Sequence, residues 1–291
     1  MHIRKVKTSN QKLQIRAQDL HQGHLERVVS HSRILHNQRP LDIYLPPFYN
    51  QNRQQHYPVL YMHDGNNLFY KEIAFGGMPW YVDQTLNRLI SLKLVQPLIV
   101  VGVANTMGRN NEYTWSKMKT RWGHEGGHGE LYARYLIQEV KPMIDQRYRT
   151  RSDAWNTGVM GSSLGGLISL YLGLYYPQVF SQIGMVSPSL WWNHREALRD
   201  ARGFRPGQNL WLDMGTREGN RRAPVDKNIN IVNTRLLKQI LLSRGYIEGH
   251  NLGYLEDKGA LHNEWWWGQR LHVALMFLFG TAKGRALITA K

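Results

Sequence analysis

Short runs that are apolar at nearly every position recur along the chain, at residues 58–62, 98–103, 157–160, 183–186, 210–212 and 252–255. Between them lie stretches with helical spacing of apolar residues, near 80–93, 130–146, 164–176, 191–201, 228–244 and 265–279. A run apolar throughout belongs to a strand covered on both faces, and such strands alternating with helices build a parallel sheet between two helical layers. Upstream the pattern differs. Residues 25–29 and 41–45 read as strands, the second stopping at Pro46-Pro47, and polar residues 49–56 form a turn. The expected fold is α/β: a mostly parallel central sheet of about eight strands with an antiparallel N-terminal hairpin and helices on both faces. A length of 291 residues would suit two average domains. No repeat, linker or low-complexity stretch divides the pattern, so one domain spanning 1–291 is expected.

Two motifs compete for the chemistry. His124-Glu125-Gly126-Gly127-His128 has the H-E-x-x-H form of a zinc site, and Gly161-Ser162-Ser163-Leu164-Gly165 has the form G-x-S-x-G. By composition the zinc pattern is the rarer, with about 0.02 chance matches per chain against about 0.1 for the serine pattern. Context reverses the choice. H-E-x-x-H needs a helix to bring both imidazoles to one face, yet glycine occupies 123, 126, 127 and 129. That segment reads as a loop, and no metal or other cofactor is expected.

The serine motif sits between an apolar strand and an apolar helix that ends before Pro177, as a strand–turn–helix elbow requires. Only Ser163 has the right glycine neighbours. A serine hydroxyl needs a base, and the base needs a carboxylate, in the chain order Ser, acid, His. His262 follows the last strand and precedes the final helix, whereas His250 precedes that strand and His272 lies within the helix. Glu218, in the loop after the strand at 210–212, is the expected acid; Asp213 in that strand and Asp226 beyond it remain competitors. Backbone N–H groups of Leu164 and of Gly65 or Asn66, in the turn after residues 58–62, are the expected oxyanion donors.

Composition narrows the setting. Ten Trp, fifteen Tyr and seven Phe argue for a packed core rather than disorder. The absence of cysteine excludes disulfides, iron–sulfur clusters and thiol nucleophiles. No apolar run approaches the roughly 18 residues of a membrane span, and the charged start followed by polar residues 8–24 is unlike a secretory signal. A cytoplasmic protein is expected, with neither membrane nor nucleic acid as partner. The net charge is +16, and residues 1–56 hold nine Lys/Arg against three Asp/Glu. Such a balance favours anionic ligands, although a basic surface can also serve solubility alone. Arg109, after the strand at 98–103, is a candidate contact for an anionic ester, with Arg217 as a second. Trp192 and Trp265, from the runs Trp191-Trp192 and Trp265-Trp266-Trp267, are candidate aromatic walls for an aryl ester or sugar, or else core residues.

Together these residues make the chain resemble the putative-esterase family of α/β-hydrolases, which includes esterase D, enterochelin-esterase-like enzymes, feruloyl and acetylxylan esterases and mycolyltransferases. The resemblance runs from about residue 25 to 280. It rests on Tyr57-Pro58-Val59-Leu60-Tyr61-Met62-His63-Asp64-Gly65, on Glu139-Val140-Lys141-Pro142-Met143-Ile144-Asp145, on Gly161-Ser162-Ser163-Leu164-Gly165-Gly166-Leu167, on Tyr176-Pro177-Gln178-Val179-Phe180, on Ser187-Pro188-Ser189-Leu190-Trp191-Trp192 and on His262-Asn263-Glu264. It implies an α/β-hydrolase fold and a serine carboxylic-ester hydrolase acting on a small-molecule ester, with Ser163 as nucleophile, His262 as general base then acid, and Glu218 where relatives commonly carry Asp or Glu. The siderophore-esterase branch also resembles residues 105–113, with Arg109 and Glu112. An acyltransferase on the same fold, or a non-enzymatic binder of anions or nucleic acid, are the competing functions. A water-excluding acyl channel would mark the first and salt-sensitive polyanion binding the second.

Overall fold

The computed structural model describes residues 21–121, 123–219, 222 and 224–289. The basic segment 1–20 lies outside the described residues. Eight strands form one sheet in the order β1-β2-β4-β3-β7-β8-β9-β10. They are β1 (His24–Ser32), β2 (Asn37–Leu45), β3 (Val59–His63), β4 (Ile99–Val103), β7 (Thr157–Ser162), β8 (Gln182–Val186), β9 (Asn209–Gly215) and β10 (Leu252–Asp257). β1 and β2 pair antiparallel, β2 lies antiparallel to β4, and every neighbour from β4 to β10 runs parallel. The mixed α/β sheet and its N-terminal hairpin thus match the architecture expected from the apolar pattern.

The pattern works because each central strand is covered twice. In β3, Val59 and Tyr61 enter one core and Leu60 and Met62 the other. The first core lies between the sheet and the helices α3 (Gly129–Tyr135), α5 (Leu164–Tyr175) and α7 (Ile229–Ser243); the second lies under α1 (Val82–Ser91) and α8 (Glu264–Phe279). Strand β2 ends at Leu45 before Pro46, whose missing N–H cannot continue a ladder. The hairpin strands are longer than their apolar segments, since backbone pairing carries His31↔Gln38 and Ser32↔Asn37 past the last apolar positions.

The chain departs from the apolar pattern in two places. The expected helix over 130–146 is α3, a wider turn at Leu136–Val140, and then α4 (Lys141–Arg147). Pro142 explains the interruption: it has no N–H to donate, and its ring crowds the carbonyl four residues back. The H-E-x-x-H segment is a strand rather than a loop. β5 (Lys117–Thr120) and β6 (Gly123–Gly126) form an antiparallel pair, with His124 on β6 and His128 at the residue preceding α3. Gly126 has φ 96° and faces the Ser116 carbonyl so closely that a Cβ would lie 2.5 Å from it. The two imidazoles therefore do not share a helix face. Helices α2 (Arg109–Glu112), α6 (Trp192–Asp200) and α9 (Ala282–Thr289) are the other α-helices among the described residues.

All six parallel strands release their loops at one sheet edge. Strand β4 lies on one side of β3 and β7 on the other, so the connections diverge between β3 and β7, the place where open α/β sheets form a crevice. The G-x-S-x-G turn leaves β7 and the His63-Asp64-Gly65 turn leaves β3 at that point.

Candidate active site

Ser163 joins β7 to α5 with φ 58° and ψ −120°, a conformation costly for a side-chain-bearing residue. Its surroundings hold it there. The Ser163 N–H donates to the Val186 carbonyl at 3.0 Å, and the Ser163 carbonyl accepts from Ser189 N–H at 3.0 Å. The glycines of the motif let strand and helix pass closely: a Cβ on Gly161 would lie 2.8 Å from the Gly165 carbonyl carbon, and one on Gly166 2.8 Å from the Val186 oxygen. The result is a hydroxyl raised at the C-terminal edge of the sheet.

His262 stands in the turn between β10 and α8, with Nε2 3.0 Å from Ser163 Oγ. Its Nδ1 lies 2.6 Å from Glu218 Oε2. A carboxylate can only accept, so Nδ1 carries the proton and Nε2 presents its lone pair to the serine. Ser189 Oγ is a further neighbour of Ser163 Oγ, at 3.1 Å. The Trp267 ring meets the imidazole edge to face, with centroids 4.8 Å apart.

Glu218 is fully buried. Its Oε1 accepts from Ser187 Oγ at 2.6 Å, Gly215 N–H at 2.8 Å and Arg270 Nη2 at 3.1 Å. Burial pushes the carboxyl pKa up, but the hydrogen bond from His262, the charge of Arg270 and the Ser187 hydroxyl outweigh it and hold Glu218 below the usual glutamate range. Asp213, the competitor, points elsewhere. It accepts from Trp211 Nε1 at 2.7 Å, Ser187 N–H at 3.2 Å and Arg270 Nε at 3.0 Å. Asp226, the third candidate, pairs with Arg235 on the surface.

The turn after β3 lies beside the elbow, since the position a Cβ would take on Gly165 is 3.3 Å from Asp64 Oδ2. Within it, Asp64 N–H donates to the Tyr113 hydroxyl, Asn67 N–H to the Asp64 carbonyl and Leu68 N–H to the Gly65 carbonyl. Gly65 and Asn66 belong to this turn, and Leu164 is the first residue of α5. Gly65 packs so tightly on β4 that a Cβ there would lie 2.4 Å from the Gly102 carbonyl carbon.

The candidate substrate residues are placed unequally. Arg109 clasps Asp64 through two bonds, Nε to Oδ1 at 2.6 Å and Nη2 to Oδ2 at 2.8 Å, and lies over the Tyr113 ring. Asn105 reinforces the clasp, with Nδ2 2.6 Å from Asp64 Oδ1. Glu112 turns inward to Arg39. Trp192 is buried and donates its indole N–H to the Ser116 carbonyl, whereas its neighbour Trp191 is 46% exposed. Trp265 is 44% exposed and Trp267 is buried. Arg217 is exposed and donates its N–H to the Ala260 carbonyl. Sequence reasoning did not single out Ser187, Ser189 or Arg270. Arg270 had a signal: it is a charge inside the buried stripe Trp267, Leu271, Ala274 and Leu275 of α8. The serines lie in the run Ser187-Pro188-Ser189 that helps carry the family resemblance, which assigned them no role. Among the described residues no three His, Asp or Glu side chains come together in a way that could hold a metal ion.

Comparison with known proteins bears on this geometry. The profile of the family described as Putative esterase matches residues 32–278. YbbA, an uncharacterized protein of Bacillus subtilis (strain 168), is 26% identical over 246 residues, which are 83% of this chain and 93% of YbbA. The ferri-bacillibactin esterase BesA of the same organism is 30% identical over 152 residues, covering 47% of this chain and 49% of BesA. The crystal structure of an IroE-like serine hydrolase from Shewanella oneidensis has a TM-score of 0.70 at 19% identity, over 88% of this chain and 80% of that one. At that identity the likeness concerns the fold.

Proposed function

The chain belongs to the putative esterase family, and from that premise we propose that it is a serine carboxylic-ester hydrolase working through Ser163, His262 and Glu218. The observation that carries this reading is the continuous relay Ser163 Oγ–His262 Nε2–His262 Nδ1–Glu218 Oε2, at 3.0 and 2.6 Å, on a serine held in a left-handed elbow.

In this reading His262 Nε2 takes the Ser163 proton as Oγ attacks the ester carbonyl. The tetrahedral oxyanion sits between the N–H of Leu164 and that of Gly65 or Asn66. Glu218 orients the imidazole and stabilises the imidazolium without taking the proton. His262 then protonates the departing alcohol, and water, activated by the same imidazole, releases the acid from acyl-Ser163. The exposed indoles of Trp191 and Trp265 flank this serine and histidine in the chain and suit an aromatic ester. The name of the relative BesA supports a small-molecule siderophore ester as one member of the test panel. Arg109, committed to Asp64, acts here by bracing the oxyanion turn rather than by gripping substrate.

The experiment is turnover of a panel of esters: short p-nitrophenyl, feruloyl, acetylated-sugar and catecholate trilactone. Ser163→Ala is expected to fold normally and lose about 10⁴-fold or more in rate on whichever esters the wild type cleaves. It is also expected to lose labelling by a fluorophosphonate. A folded Ser163→Ala protein with wild-type turnover rejects the assignment.

A further inference from the structure

We propose that Arg270 is a positioning residue for this reaction: together with Ser187 and Trp267 it fixes the Oε1 side of Glu218, so that Oε2 faces His262. The inference rests on the ester-hydrolase reading and adds to it a residue outside the relay.

Trp267 and Arg270 are three residues apart on α8 and so share one helix face. Both reach Ser187, which follows β8. The Trp267 indole N–H donates to Ser187 Oγ at 3.1 Å and Arg270 Nη2 donates to it at 2.5 Å. With two donors filling its lone pairs, the Ser187 hydroxyl must point its proton at Glu218 Oε1, 2.6 Å away. Arg270 Nη2 also reaches Oε1 directly, at 3.1 Å, while Gly215 N–H supplies the third donor. One carboxylate oxygen is thereby saturated from β8, β9 and α8. The other is left to His262.

The charges support the same role. Asp213 and Glu218 are both buried without exposure, and the single guanidinium of Arg270, itself 3% exposed, lies between them. Arg270 offsets one of the two carboxylate charges of Asp213 and Glu218. Among the described residues, the titratable His262 in the turn before α8 and the carboxylate of Asp257 at the end of β10, 3.9 Å from Arg270 Nη1, also face the cluster. On the α7 side the contact is neutral, Asn228 Nδ2 donating to the Glu218 carbonyl at 2.7 Å. Without the guanidinium, two like charges would share one buried site, and such pairs relieve themselves by taking up a proton. Asp213, whose carboxyl burial already pushes up, would take that proton first, and Glu218 would lose both the Nη2 donor and the charge that hold it low. A residue serving only to anchor α8 would have no reason to touch the outer oxygen of the acid.

The test compares the wild type, Arg270→Met, Arg270→Lys and the double variant Arg270→Met/Asp213→Asn, all in the full chain. It reads kcat, KM, the pH profile of kcat/KM on a p-nitrophenyl ester, and thermal unfolding. Arg270→Met is expected to lose about 100-fold in kcat with little change in KM. Its acid limb should move up by about one pH unit or more. Arg270→Lys, which restores the charge but not the fork, should recover part of kcat and move the limb back. The double variant removes the buried carboxylate with its partner, so it keeps the test open if Arg270→Met does not fold. It should regain unfolding temperature yet stay about tenfold or more below wild-type kcat. A folded Arg270→Met protein with wild-type kcat and an unmoved acid limb, or a folded double variant with wild-type kcat, overturns the proposal. If Ser163→Ala is inactive in the same assay, that result rejects the role of Arg270 alone; an active Ser163→Ala protein rejects the hydrolase reading beneath it.

Discussion

Glu218 and Asp213 are five residues apart, equally buried, and both bonded to Arg270. What separates them is the identity of their remaining donors. Trp211 and the Ser187 N–H occupy Asp213, whereas Glu218 keeps Oε2 for His262 at 2.6 Å. Glu218→Gln should therefore cost about 10²–10⁴-fold in kcat, less than His262→Ala, because the carboxylate orients and stabilises while the imidazole moves the proton. Asp213→Asn should act mainly on unfolding temperature. A steady-state comparison of the three variants decides the point: near-wild-type kcat in Glu218→Gln beside a large loss in Asp213→Asn would make Asp213 the acid. The sequence placed Glu218 in the loop after a strand and Asp213 within it, which favoured Glu218 but left Asp213 a competitor, since one residue of register turns a side chain to the opposite face. Ser163 and His262 were more legible, because an elbow and a turn between strand and helix leave few residues that fit. Ser187 stood in a run that carries the family resemblance, but its role was unreadable, because a serine after a strand shows no partner until its neighbours in space are known.

The elements followed the apolar pattern wherever burial on two faces wrote it. The β5–β6 pair escaped because Lys117-Met118-Lys119-Thr120 is half exposed and polar, so its pairing leaves no apolar run. The end of β3 shows how the packing of elements sets a property of the fold. His63 is buried between β3 and α3, with Nδ1 2.9 Å from the Tyr132 hydroxyl. Burial lowers its pKa to about 4, against the pull of Asp64 and with the push of Arg109. The folded protein thus keeps His63 neutral at pH values where an unfolded histidine, with a pKa near 6.5, takes a proton. Between those two values the unfolded chain binds more protons, so stability falls as pH drops from about 6.5 towards 4, by about 3 kcal/mol from this group. His63→Asn removes the titration. Urea unfolding at pH 7 and pH 4.5 should show a smaller drop in stability for the variant than for the wild type, with the other titrating groups common to both. Equal drops in the two proteins would mean that His63 accepts its proton in the fold.

At the scale of the whole molecule the open quantity is the +16 charge. Lys71 follows β3 and Lys258 follows β10, both exposed, and Lys117 and Lys119 are exposed on β5 in the connection that follows β4; all three segments come after strands that end at the sheet edge where Ser163 emerges. Arg109 lies at this edge too, but its fork is closed on Asp64, so a positive field there comes from the outer cations rather than from a dedicated grip. A field raises the encounter rate of an anionic ester and fades with salt, since the screening length is about 10 Å at 0.1 M. We predict that kcat/KM for an anionic aryl ester exceeds that of a neutral ester of the same size at low salt, and that the ratio shrinks as salt is added. Arg109→Ala should lower turnover of both esters by a similar factor, because it loosens the turn that carries Gly65 and Asn66 whatever the charge of the substrate. Two results would count against this account. A preference ratio indifferent to salt would mean the surface charge does not steer substrate, and a loss confined to the anionic ester in Arg109→Ala would mean that the guanidinium leaves Asp64 to hold the ligand.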